Sequence, residues 1–109
     1  MQSNPFFSVI CPTFNSENFI KKNITSLLNQ SYKNFEVIYS DDGSIDKTVD
    51  IIKGYKKNFL NEKINFRIVI NSHQGPGAAR NHAIKLSNFD WISFIDSDDE
   101  WSRDKLKKV

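Results

Sequence analysis

The sequence predicts an α/β fold with a mainly parallel sheet and helices on both faces. Four short apolar segments, typical of strands, alternate with segments whose apolar residues recur at helical spacing. The strand-like segments are almost continuously apolar, which is typical of parallel strands covered on both faces. Gly, Pro, Asn and Asp punctuate the connections, as turns require. These observations predict one compact domain, which a chain of 109 residues can form.

The first predicted strand and helix occupy residues 7–30. Residues 7–11 form the strand, and Pro12 is expected to stop it because proline donates no ladder hydrogen bond. Asn15 or Ser16 is expected to cap the helix that follows and runs to about Gln30.

The second predicted strand, residues 35–40, runs into an acidic turn. Ser44, at the end of that turn, is expected to cap the second helix. One face of this helix would carry Ile45, Val49, Ile52 and Tyr55.

The third and fourth strands are predicted at residues 66–70 and 91–95. A glycine-rich loop at residues 71–77 separates the third strand from a helix whose apolar side is Ala79, Ala83, Ile84 and Leu86. Ser102 is expected to cap a last helix, within which the sequence ends. We therefore expect these residues to be part of a longer protein.

Composition narrows the class of protein. A hydrophobic fraction of 39% argues against disorder, and a net charge of +2 argues against a nucleic-acid-binding surface. The single cysteine, Cys11, excludes an internal disulfide framework and fits a reducing compartment. No segment approaches the roughly 20 apolar residues of a transmembrane helix.

Four unusual clusters each follow a predicted strand: residues 12–15, 41–44, 75–80 and 96–100. In open α/β sheets, ligands bind beyond the carboxyl ends of the strands. Because parallel strands place those ends along one edge, we predict that the four clusters form a single binding site.

The acidic cluster Asp96, Asp98 and Asp99 predicts a divalent-cation site. Three carboxylates repel one another unless a cation gathers them, and Mg²⁺ and Mn²⁺ prefer oxygen ligands. The alternative is a solvated acidic turn favoured by the dipole of a following helix. An EF-hand is excluded because Trp101 stands where that loop needs glycine.

The other three clusters fit a nucleotide. A carboxylate of the pair Asp41 and Asp42 could accept hydrogen bonds from a nucleoside, although a turn also explains Gly43 and Ser44. Phe14 could stack on a base or lie in the core. The loop before Arg80 could offer helix N–H groups to phosphate or be a plain turn. His73 and His82 show no metal-ligand spacing and are expected at the surface or in the core.

Together, six segments resemble the inverting family 2 glycosyltransferases, which have the Rossmann-like GT-A fold. The segments are residues 8–15, 26–32, 35–38, 41–44, 77–81 and 95–99. The resemblance implies that donor binding involves Pro12, Phe14, Asn15, Glu17, Asp42, Gly77, Arg80, Asp96 and Asp98. It implies that Asp98 and Asp99 hold Mn²⁺ or Mg²⁺.

The resemblance also implies a reaction and its partners. A sugar would pass with inversion from a nucleoside-diphosphate donor, by default a UDP-sugar, to a hydroxyl of a glycan, lipid-linked or protein acceptor. Residues 1–109 would be the nucleotide-binding part, with the acceptor half and general base outside it. We expect a role in cell-envelope polysaccharide synthesis, in the cytoplasm or peripherally at the inner membrane face. The resemblance also allows a homodimer.

Two other classes of protein stay open. A phosphoryl or nucleotidyl transferase could use a similar sheet, but phosphatases with paired aspartates and sugar-nucleotide pyrophosphorylases carry their motifs after the first strand. A non-catalytic module such as a response-regulator receiver also has its acids after the first strand. In a receiver, the acids after the fourth strand would have no role.

Overall fold

The computed structural model describes residues 5–107. Its elements in chain order are β1 (Phe7–Thr13), α1 (Ile20–Leu28), β2 (Phe35–Asp41), α2 (Thr48–Lys53), α3 (Lys56–Asn61), β3 (Asn65–Ile70), α4 (Pro76–Leu86) and β4 (Trp91–Phe94). The four predicted strands are all present. The second predicted helix corresponds to α2, and the short helix α3 that follows it was not predicted.

The four strands form one parallel sheet in the order β3-β2-β1-β4. The central strands β1 and β2 are buried along nearly their whole length. The outer strands β3 and β4 are not, and their residues are half-buried or exposed. The expectation that all four strands are covered on both faces is therefore wrong for β3 and β4, which lie at the edges of the described sheet.

Helices cover both faces of the sheet. On one face, α1, α2 and α3 bury Ile24, Ile52 and Phe59 against the central strands. On the other face, α4 packs Ala83 against Ile10 and Ile38. Each large apolar side chain buried in this way stabilises the fold by roughly 1.5–3 kcal/mol. The predicted α/β architecture is confirmed.

Pro12 does not stop β1, contrary to the expectation, and lies opposite Ser40 of β2. The Ile10 carbonyl faces the β4 side, where it accepts the N–H of Ile95, so Pro12 two residues later faces the same side. Because β4 ends at Phe94, the missing N–H of Pro12 costs no ladder hydrogen bond.

Neither Asn15 nor Ser16 caps α1 as predicted. The helix begins at Ile20 and has no side-chain cap. A turn precedes it, in which the Ser16 carbonyl accepts the N–H groups of Phe19 and Ile20 at 2.9 Å each. The Ser16 hydroxyl contacts Ser97 instead of an α1 amide, at 2.8 Å.

Ser44 does not cap the second helix either, because its hydroxyl oxygen accepts the N–H of Asn15 and the helix begins only at Thr48. Its own N–H and hydroxyl donate to Asp41. The helix starts at Thr48, whose N–H donates to the Asp46 carboxylate at 2.9 Å. Ile45 lies before the helix and is 92% exposed, so it does not belong to the buried face.

The helix predicted after Ser102 is absent from the described residues, which form turns at 103–107. The Ser102 carbonyl accepts the N–H of Lys105 and the side-chain amide of Gln30. No helix within residues 5–107 combines the length and apolar character needed to cross a bilayer.

Candidate functional site

A cleft of about 440 Å³ lies beyond the carboxyl ends of the strands. Its walls are Pro12, Thr13, Phe14, Asn15, Ser16, Phe19, Asp42, His73, Pro76, Arg80, Asp96, Ser97 and Asp98. The loops that follow all four strands therefore contribute to it. A larger cavity of about 850 Å³ lies along α1 and contains none of the predicted site residues.

The cleft brings together most of the residues predicted to bind the donor. Those that line it are Pro12, Phe14, Asn15, Asp42, Arg80, Asp96 and Asp98. Glu17, Gly77 and Asp99 do not line it. Glu17 is exposed, and its backbone N–H donates to the Asp46 carboxylate. Gly77 borders open space, so a Cβ added there would contact no other atom.

Asn15 joins the loops that follow β1 and β2. Its N–H donates to the Ser44 hydroxyl at 2.8 Å, and its side-chain oxygen accepts the N–H of Ile45 at 3.0 Å. Its φ of 47° lies in the left-handed region, which asparagine tolerates better than most residues. These bonds hold one wall of the cleft in place.

Asp41 is a structural residue beneath the cleft. Its fully buried carboxylate accepts the Thr13 hydroxyl at 2.6 Å and the Ser44 hydroxyl at 2.7 Å. It also accepts the N–H of Ser44 at 2.7 Å. The two adjacent acids at the end of β2 thus have different surroundings, and Asp42 is the one that reaches the cleft.

Asp42 holds the loop that follows β3. Its carboxylate accepts the N–H of Gln74 at 2.8 Å and the N–H of Gly75 at 3.1 Å, and it lies 3.0 Å from His73 Nδ1. The bond from Gln74 lowers the pKa of Asp42 most. Burial opposes this change in the pKa, while Gly75 and His73 reinforce it. The Asp42 carboxylate therefore already accepts hydrogen bonds from donors within the protein.

Phe14 is not a core residue, because 45% of its surface is exposed. Its ring stacks on the His73 ring with centroids 4.5 Å apart. The two rings form an aromatic surface on the cleft wall. His73 is one of the site residues that the sequence did not indicate, although its place after β3 on the shared edge was a usable signal.

Arg80 faces the acidic cluster across the cleft. Its guanidinium lies 4.0 Å from the Asp96 carboxylate, and the Asp96 side chain is 70% exposed. Because this pair is open to water, it contributes little to stability. The arrangement leaves both charges accessible to a ligand.

Asp98 lines the cleft with an exposed carboxylate. Within residues 5–107, its carboxylate makes no hydrogen bond or ion pair. The Asp99 side chain does not line the cleft, and its carboxylate accepts the N–H of Glu100 at 3.1 Å. The two predicted metal ligands therefore have different surroundings.

The acidic cluster is not a preformed metal cage. The described residues contain no group of three or more His, Cys, Asp or Glu side chains placed to hold a metal ion. Asp96 and Asp98 nevertheless fit Mg²⁺ or Mn²⁺, which proteins commonly bind through one or two carboxylates together with substrate phosphates. Such an ion would need the ligand to complete its coordination.

Cys11 lies under the site and is fully buried. Burial raises the pKa of its thiol far above the ordinary value of 9.0. The thiol therefore stays protonated at neutral pH and is neither a nucleophile nor a metal ligand.

A cleft with aromatic and charged walls beyond the carboxyl edge of a parallel sheet defines a ligand-binding α/β domain. Comparison with known proteins identifies the family. The family model of glycosyl transferase family 2 matches residues 8–109. The chain belongs to this family, and its fold is that of the GT-A glycosyltransferases.

Two curated relatives and one solved structure illustrate the similarity. An uncharacterized glycosyltransferase of Haemophilus influenzae is 42% identical over 95% of the chain and 40% of its own length. The putative teichuronic acid biosynthesis glycosyltransferase TuaG of Bacillus subtilis is 38% identical over the same shares. Staphylococcus aureus TarS 1–349 in complex with UDP-GlcNAc matches with a TM-score of 0.84 and 36% identity. That match covers 94% of this chain and 29% of TarS 1–349.

The chain spans about 40% of the length of these two curated relatives. The sequence-based assignment to the family and the GT-A fold is confirmed.

Proposed function

We propose that this chain binds the nucleoside-diphosphate sugar of a metal-dependent, inverting glycosyltransferase, with a UDP-sugar as the first choice of donor. One observation carries the proposal: a single cleft contains an exposed aromatic surface, a positively charged guanidinium and two open carboxylates. They are contributed by Phe14, Arg80, Asp96 and Asp98. These groups match the base, diphosphate and metal of such a donor.

The base and ribose would bind on the Phe14 side of the cleft. The Phe14 and His73 rings offer a flat surface to which any base can add by stacking. Pro12, Asn15 and Asp42 lie beside them. A carboxylate has acceptor capacity for about four hydrogen bonds, so Asp42 can still accept one from the nucleoside. The complex of TarS with UDP-GlcNAc makes uridine the base to test first.

The diphosphate would bind between Arg80 and the acidic cluster. Asp98, and with it Asp96, would hold Mn²⁺ or Mg²⁺ in this role, while Asp99 is the weaker candidate because it does not line the cleft. When bound, the ion would supply positive charge that neutralises the departing diphosphate. Arg80 would add a charge that does not titrate near neutral pH. Glu17 and Gly77 would act only if the loops move toward the donor.

In the transfer, the bond between the anomeric carbon and the diphosphate oxygen breaks as the acceptor oxygen bonds to the opposite face of that carbon. The acceptor hydroxyl gives its proton to a general base. The residues of the cleft bind and orient the donor, and we expect the base and the acceptor site in the additional length that the relatives have.

The relatives suggest the biological setting. The name of TuaG refers to teichuronic acid biosynthesis, and we propose cell-envelope polysaccharide synthesis for this chain as well. A glycan, lipid-linked or protein acceptor, a cytoplasmic or peripheral inner-membrane location and a homodimer belong to the same proposal.

A titration with matched variants tests the proposal. UDP, GDP and a sugar phosphate are titrated calorimetrically into the chain with and without Mn²⁺. We expect Mn²⁺ to strengthen UDP binding to the wild type. Asp98→Asn should abolish this enhancement and Asp99→Asn should largely preserve it, because both changes remove one charge at nearly constant size but only Asp98 lines the cleft.

If no nucleoside diphosphate binds more tightly with Mn²⁺, the proposed function is wrong. If both variants keep the enhancement, Asp98 and Asp99 are not the metal ligands. Loss of the enhancement in Asp99→Asn alone would reverse their roles.

A further inference from the structure

A row of polar side chains on α1 and just beyond it holds the backbone of the segment that carries the acidic cluster. Asn23 and Ser26 belong to α1, and Gln30 lies shortly after the end of the helix. Asn23 is 0% exposed and Gln30 is 1% exposed. Burying an amide is costly unless its donors and acceptor are paired. No buried side-chain nitrogen or oxygen among residues 5–107 lacks a partner.

The amide of Asn23 contacts the acidic cluster at two points. Its Nδ2 donates to the carbonyl of Asp96 at 3.0 Å and to the carbonyl of Asp99 at 3.2 Å. Its Oδ1 accepts the hydroxyl of buried Tyr39 at 2.8 Å. Because carbonyls only accept, the NH₂ group must face the loop and Tyr39 must donate.

These bonds fix both ends of the turn from which the carboxylates project. The turn is closed by the N–H of Asp99 on the Asp96 carbonyl at 3.0 Å. Asp98 lies within this turn, and its side chain makes no hydrogen bond to a residue within 5–107. Its carboxylate is therefore placed mainly by the backbone that Asn23 holds.

We propose that Asn23 is a positioning residue, which aims Asp96 and Asp98 at a divalent cation bound with a diphosphate without touching either ligand. This inference rests on the proposed function. An amide fits this place because it supplies two donors to the loop and one acceptor to Tyr39. Partners that orient metal-binding groups commonly change metal affinity by about 10- to 100-fold.

Gln30 offers a matched control. Its buried amide donates to the Ser102 carbonyl at 2.7 Å and accepts the N–H of Leu106 at 3.1 Å. It thus performs the same kind of bonding on the same segment, but beyond the acidic cluster. Asn23→Leu and Gln30→Met each replace an amide by an apolar side chain of comparable length, without a change of charge.

The experiment measures the Kd of UDP with and without Mn²⁺ for the wild type and both variants, at a temperature where each is folded. Asn23→Leu should reduce the enhancement by Mn²⁺ about tenfold while the metal-free Kd changes little. Gln30→Met should keep the enhancement even though it lowers the melting temperature. Hydrogen exchange at the Asp99 amide should be faster in Asn23→Leu only.

If Asn23→Leu does not fold, Tyr39→Phe tests the same network by removing the hydroxyl that orients the amide. It should reduce the enhancement in the same direction and by less. If folded Asn23→Leu, or Tyr39→Phe in its place, keeps the wild-type enhancement, the inference is overturned. Equal losses with and without Mn²⁺ would also overturn it, because they indicate a purely structural role. A wild type with no enhancement would instead overturn the proposed function.

Discussion

Acidic residues lie at or just beyond the carboxyl ends of both β2 and β4, yet the two groups have opposite surroundings. Asp41 and Asp42 are buried, and their carboxylates accept hydrogen bonds from neighbouring loops. Asp96 and Asp98 are exposed, and the only partner of either carboxylate within residues 5–107 is Arg80 at 4.0 Å. The first pair builds the cleft, and the second is open to a ligand.

The largest expected effect is a difference in the free energy of unfolding between a variant of the buried pair and a variant of the exposed pair. Asp41→Asn should lower the free energy of unfolding by about 2 kcal/mol, because an amide cannot accept all the hydrogen bonds that the buried carboxylate accepts. Asp98→Asn, the matched change at an exposed site, should stay within about 0.5 kcal/mol of the wild type. Urea denaturation measures both. Equal losses of unfolding free energy in the two variants would show that the acids after β4 are structural as well.

A smaller effect is expected at the aromatic wall. Phe14→Ala should weaken UDP binding about tenfold, because base stacking contributes roughly 1–3 kcal/mol. Phe6→Ala is the control, since Phe6 is also exposed and stacked, on Phe89 at 5.1 Å, but does not line the cleft. Fluorescence or calorimetric titration gives both affinities. If both variants bind like the wild type, the base does not lie on Phe14.

The smallest effect concerns pH. The pKa of Asp42 is below its usual value of 3.8 in the folded chain. Its contribution to stability is therefore present above pH 3.8 and is lost as the pH falls through the lower, folded-state pKa. Asp42→Asn should make the melting temperature fall less steeply than in the wild type as the pH is lowered. Parallel acid curves for wild type and Asp42→Asn would contradict the assignment.

The same contrast shows how far the sequence could predict the site. Periodicity predicted the four strands, and parallel topology predicted that the loops after them would meet. The residues alone could not distinguish Asp41 from Asp42, and only the family resemblance pointed to Asp42. The distinction depends on Thr13 and Ser44, whose hydroxyls reach the Asp41 carboxylate. The sequence placed Asp98 and Asp99 together, whereas the turn directs only Asp98 into the cleft.

The incorrect capping predictions have a common cause. Ser44 is a good helix cap in isolation, but in the fold its hydroxyl oxygen accepts the N–H of Asn15 from the loop that follows β1. Ser16 similarly bonds to Ser97 on a loop that is distant in sequence. Asn23 was missed because a polar residue on an apolar helix face gives no local sign of the carbonyls it meets. Each outcome depends on contacts between segments far apart in the chain.

The most direct test locates UDP on the molecule. NMR chemical-shift changes are recorded as UDP and Mg²⁺ are added to the labelled chain. We predict that the largest changes occur at the loops around Phe14, His73 and Asp98, which surround the cleft of about 440 Å³. Changes concentrated instead around Thr25 and Asn58, in the larger cavity along α1, or no changes at all, would contradict donor binding at the carboxyl edge of the sheet.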